Sequence, residues 1–125
     1  MRMRARRLLL TAGSLVALAA VLSSCSSSAA LALARRSCVH VERSINLYER
    51  SLHAPTPALA AAGYQAAVAQ LELAQPDAAT AAGQDGQWQA LMTTISESPR
   101  VPLGLLVHAL GAQCAVAQSP GGNGL

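Results

Sequence analysis

Large rings are nearly missing from this chain: aromatics make up 2% of its 125 residues, with a single tryptophan and no phenylalanine. A core of stacked rings is thereby excluded, and with β-branched residues sparse as well, so is a sheet-dominated fold. Charge is also thin, at 12% of residues. Lysine is absent, and all nine cationic side chains of the formal charge count are arginines. Much of the 52% hydrophobic share is alanine, which with leucine and glutamine favours helix. The composition predicts an all-α fold with a core of small and aliphatic side chains. A chain of this length has room for one domain.

The formal charge of +3 is unevenly spread. Arg2, Arg4, Arg6 and Arg7 all precede the first apolar run. The rest carries Arg35, Arg36, Arg43, Arg50 and Arg100 against Glu42, Glu49, Glu72, Asp77, Asp85 and Glu97, five positive groups against six negative. The basic isoelectric point therefore describes the leader. With no basic stripe and no interleaved aromatics in the remainder, nucleic acid is not an expected partner.

Those four arginines, an apolar stretch from Leu8 to Leu22, and then Ser23, Ser24 and Cys25 reproduce the three parts of a secretory signal. The hydrophobic part is shorter than the roughly 20 residues that a spanning helix needs. Leu22-Ser23-Ser24-Cys25 resembles the lipobox of bacterial lipoproteins, a resemblance that covers the first 25 residues. It implies cleavage between Ser24 and Cys25, a diacylglyceryl group on the Cys25 thiol, and an acylated new amino terminus. Two or three acyl chains, palmitate among them, give stable anchoring where one chain binds only reversibly. The expected address is the extracytoplasmic face of the cell membrane.

The remainder divides by its own signals. Residues 25–30 read as the lipidated cysteine and a polar serine tether, 31–118 as a helical domain and 119–125 as a glycine-rich disordered tail. Cys38, Val41, Ile45, Tyr48 and Leu52 recur at spacings of three and four, the seam of a first helix that ends near His53 ahead of Pro55 and Pro57. Thr56 and Pro57 cap and open a second helix, expected to run to about Ala74 before Pro76. Asp77 to Ala82 reads as a short helical turn closed by Gly83 and Asp85-Gly86. Trp88, Leu91, Met92 and Ile95 mark a third helix, and Leu103, Leu106, Val107, Leu110 and Cys114 a fourth. The expected architecture is a small bundle of about four helices.

With Cys25 committed to lipid, two thiols remain, Cys38 and Cys114, both on inward faces. Export places them in an oxidising compartment, where an even count in a small domain predicts a disulfide. Such a bridge would set the first and last helices side by side.

Chemistry is harder to find. His40, His53 and His108 stand in no ligand or catalytic constellation, and the paired Glu-x-x-His motifs of di-iron bundles are absent. No serine occupies a nucleophile elbow and no glycine pattern cradles phosphate. Enzymatic activity, a metal and a cofactor are accordingly not expected. Arg35-Arg36 stands close enough to the anchor to touch lipid head groups. The chemically varied stretch Gly86–Ser98 offers Gln87, Gln89, Thr93, Thr94 and Glu97, followed by Arg100, as a possible partner face. The expected role is a membrane-anchored protein-interaction or envelope accessory module, its partner an unidentified envelope protein, the alternative being a carrier for a small ligand or lipid.

Overall fold

The computed structural model of the protein describes residues 12–123, with side chains from Ser27 onward. Arg2, Arg4, Arg6 and Arg7, expected to belong to a leader, and the side chains of Leu22-Ser23-Ser24-Cys25, expected to act as a lipobox, lie outside the described residues. Four α-helices and no strand occur among them: α1 (Ala12–Leu52), α2 (Pro57–Gln84), α3 (Gln89–Ser96) and α4 (Leu103–Gln118). Each helix packs on its chain neighbour, and α4 closes the ring against α1. The result is the expected small bundle, running up, down, up and down.

Local chemistry sets most of the helix ends. Thr56 accepts the Leu59 amide hydrogen at 3.2 Å on its hydroxyl and Pro57 follows, so α2 starts where cap and proline coincide. Asp85 performs the same service for the short turn Gly86–Trp88, accepting from Gln87 N–H at 3.1 Å. Between these caps α2 runs straight through Pro76 rather than stopping at Ala74. An internal proline costs about 3 kcal/mol. Here it lies on the exposed side of the helix, while Leu71, Ala74, Ala78, Ala81 and Ala82 are buried on the other. Burial of that face outweighs the lost amide hydrogen.

The α1–α2 contact is a seam of small residues. Ala30, Ser37, Ser44 and Ser51 recur every seven residues on α1 and are buried, as are Ala67, Ala74 and Ala81 on α2. Side chains this short let two helix backbones approach closely. The Ser37 hydroxyl donates to the Ala74 carbonyl at 3.0 Å and the Ser44 hydroxyl to the Ala67 carbonyl at 2.7 Å, both across the seam, while the Ser51 hydroxyl donates back to the Tyr48 carbonyl of its own helix at 2.6 Å. Ser51 faces Gly63, where an added Cβ would stand 3.0 Å from the serine Cβ.

The adjoining side of α1 meets α4. Cys38 and Cys114 form a disulfide across it, with Cα atoms 5.6 Å apart, and both residues are buried. Trp88, Leu91, Ile95, Leu103 and Leu110 complete the core, so the only tryptophan sits on the buried stripe as expected. Leu52 does not. It is 62% exposed because α4 begins opposite Tyr48, one turn short of it, and leaves the last residue of the stripe uncovered.

Two expected boundaries move. Residues 25–30, read as a tether, are helical backbone within α1, and Ala30 belongs to the core. The segment read as a disordered tail instead turns through Pro120–Gly122, where Gly122, at φ 68°, is buried against Leu31. A Cβ there would lie 2.5 Å from Leu31 Cδ1, so both the backbone and the space demand glycine.

Candidate functional site

Because α3 stops after eight residues, it covers only part of α2. The connection Ser98–Pro102 has to span the rest, and it lies over α2 less tightly than a helix would. An open cleft of about 530 Å³ results, walled by Tyr64, Val68 and Glu72 on one side and by Pro99, Arg100 and Val101 on the other. A smaller one of about 280 Å³ adjoins it and shares Glu72, Ser98 and Pro99, with Leu71, Gln75 and Ile95 forming a more apolar lining. Both open on the surface.

Two tyrosines fix the end of the bundle beside the larger cleft. The Leu103 amide donates to the Tyr64 hydroxyl at 3.0 Å, which satisfies one of the amides that the start of α4 leaves without a helical partner. The rings of Tyr64 and Tyr48 meet edge to face with centroids 6.2 Å apart. Tyr48 in turn reaches over Gly104, where a Cβ would fall 2.5 Å from its hydroxyl.

The residues of the possible partner face are only partly free. Thr94 donates to the Ala90 carbonyl at 2.8 Å and accepts from Gln113 Nε2 at 3.0 Å, which ties α3 to α4. Gln89 donates to the Ala82 carbonyl at 3.3 Å. Glu97 and Arg100 pair with each other at 2.8 Å on the rim of the larger cleft. Gln87 and Thr93 point to solvent. What remains outward is the Glu97–Arg100 pair at the cleft and the exposed side chains of Gln87 and Thr93.

The adjacent arginines Arg35 and Arg36 have structural partners. Arg35 Nε donates to the Ala117 carbonyl at 2.8 Å, a cation at the C-terminal end of α4, where the helix dipole favours it. Arg36 forms a forked pair with Asp77, at 2.8 and 3.2 Å. That hydrogen-bonded pairing holds the Asp77 carboxyl below its usual range and raises the guanidinium further above its own.

Arg36 also begins a pattern that summed charge conceals. Arg36, Arg43 and Arg50 recur every seven residues and all are exposed, so they line one flank of α1. It is the flank facing α2, since Arg36 bonds Asp77 and His40 Nδ1 meets Gln70 Oε1 at 2.9 Å. Glu42 takes the flank facing α4, where it lies 3.5 Å from Gln118 Nε2, while Glu49, seven residues on, is exposed and borders the same surface groove as Arg50. The basic line missed in the sequence was readable there as a seven-residue arginine spacing; its neighbour across the helix pair was not.

The histidines do not converge. His40 is occupied with Gln70, His53 lies exposed just past α1, and His108 is exposed on α4. Among the described residues no group of three or more His, Cys, Asp or Glu could hold a metal ion, and no helix is long and apolar enough to cross a membrane. No protein family, curated protein or solved structure matches the chain.

Proposed function

We propose that the chain is a lipid-anchored extracytoplasmic module, held to the membrane through Cys25 and binding another protein of the cell envelope. The observation that carries this reading is the Cys38–Cys114 bridge. A buried disulfide of this kind belongs to an oxidising compartment, and once it is closed Cys25 is the one cysteine left to take lipid. Its position behind an arginine-rich leader, an apolar run and Leu22-Ser23-Ser24 is where a lipoprotein would carry its anchor.

Binding is preferred to catalysis because the titratable groups are dispersed, whereas the cleft beside Ser98–Pro102 carries the Glu97–Arg100 pair at its rim and Gln87 and Thr93 of the preceding segment are exposed. A carrier for a small ligand or lipid calls for enclosed apolar volume, and open clefts favour it less. The test is the intact mass of the membrane form together with crosslinking through a photoreactive group at Thr93. Acylated Cys25 as first residue and a discrete crosslinked protein are expected. An unmodified chain beginning at Met1 would overturn the anchor; an acylated chain with no crosslinked protein would overturn the binding role.

A further inference from the structure

The arginine line of α1 has an apolar line beside it. On α2, Leu59, Ala66 and Leu73 recur every seven residues and stay in solvent, the leucines 55% and 57% exposed. Gln70 and Asp77 each stand four residues beyond members of that line, Ala66 and Leu73, and these are the residues that His40 and Arg36 grip from α1. The two lines therefore run side by side along the hairpin. Between them they hold three arginines against one carboxylate, Asp77, which is engaged by Arg36. Arg43 and Arg50 make no ion pair among the described residues. Of the nearest other carboxylates, Glu42 lies on the flank of α1 turned to α4, Glu49 borders the same surface groove as Arg50 without pairing with it, and Glu72 borders the cleft.

We propose that this α1–α2 face docks on an anionic phospholipid surface and lays the hairpin along the membrane that carries the anchor. Successive arginines of the line are about 10 Å apart along the helix and the set spans about 20 Å, too far for one small anion and well matched to an extended charged plane. Exposed leucines flanked by cations are the pattern of helices that rest in a bilayer interface. The proposal rests on the anchored reading only in that the anchor keeps the face at high effective concentration near lipid.

The test uses the full acylated chain with Ala66→Cys, on the proposed face, or Ala112→Cys, exposed on α4, each carrying an environment-sensitive dye. Proteins are reconstituted in phosphatidylcholine vesicles with and without phosphatidylglycerol, with nitroxide-labelled lipid as quencher. Quenching at position 66 but not 112, dependent on phosphatidylglycerol, is expected. Replacing Arg43 and Arg50 by glutamine should lower the ratio of docked to undocked protein about 30-fold, and lysine at both should restore it. Equal quenching at the two positions, or quenching indifferent to lipid charge and to the glutamine pair, would overturn the docking face. The intact mass of each preparation reports the acyl chains separately, so failure of the anchor and failure of the face are distinct results.

Discussion

Tyr64 holds Leu103: the phenolic oxygen of α2 accepts the first amide of α4 at 3.0 Å, across 39 positions of sequence. No side chain caps α4 from its own N-terminal side, where Pro102 stands. The tyrosine takes the place of a local cap and joins the two helices at the open end of the bundle. Tyr64→Phe keeps the ring and removes the acceptor. It should destabilise the fold by about 1 kcal/mol, seen as a fall in Tm of about 4–8 °C. An unchanged Tm would mean that solvent serves that amide equally well.

Gly104 and Gly111 lie in the same helix and should respond oppositely to alanine. At Gly104 a methyl group meets the Tyr48 hydroxyl, whereas at Gly111 it meets nothing within 4 Å. Gly104→Ala is expected to cost about 1–3 kcal/mol through overpacking, and Gly111→Ala to stabilise by about 0.5–1 kcal/mol through helix propensity. Tyr48→Phe should relieve the Gly104→Ala defect, since the clashing atom is then gone. Chemical denaturation of the four variants checks both signs.

Opening the Cys38–Cys114 bridge frees a loop with a sequence separation of 76 residues. The chain-entropy estimate for such a loop is about 4.5 kcal/mol, an upper figure. Small domains have net stabilities of about 5–15 kcal/mol, so reduction should remove a large part of the total. Guanidinium unfolding with and without reductant is the measurement, and a midpoint indifferent to reductant would contradict it.

The Arg36–Asp77 pair gives a dependence on acid. Its hydrogen bonds hold the Asp77 carboxyl below its ordinary value of 3.8, so its contribution is complete above that pH and is lost as the pH falls through the lower, folded-state value. Asp77→Asn should therefore match the parent most closely in strong acid and fall behind it at neutral pH. Both partners reach solvent, so the difference should be small and should shrink further in high salt. Denaturation midpoints recorded across the acid range test the sign.

What could be read beforehand was whatever depends on one stretch of chain. Thr56-Pro57 and Asp85-Gly86 carry their capping and breaking chemistry locally, and both act where expected. The disulfide needed only a count of thiols and a compartment. What depends on a partner helix was hidden. Ser37, Ser44 and Ser51 look like polar surface until α2 offers carbonyls to two of them and a glycine to the third, and Pro76 looks like a terminator until the buried alanines around it are set against its cost. Leu52 failed in the other direction, since the spacing that placed it inward says nothing about where the facing helix begins. For the proposed partner face, sequence could propose Thr94 and Gln89 as outward polar groups; their bonds to Ala90, Gln113 and Ala82 appear only once the chain is folded.

Gly122 tucks under Leu31 while Arg35 reaches the Ser119 carbonyl at 3.3 Å, so α4 is fastened at the same end of the bundle at which α1 enters. A reporter or affinity tag appended after Asn123 would thus emerge beside the incoming stem of α1, on the side nearest any anchor at Cys25, and be crowded by whatever α1 is attached to. The hairpin bend at His53–Thr56 occupies the far pole, with its residues at or near the surface. Labels meant to report on the compartment belong at that bend.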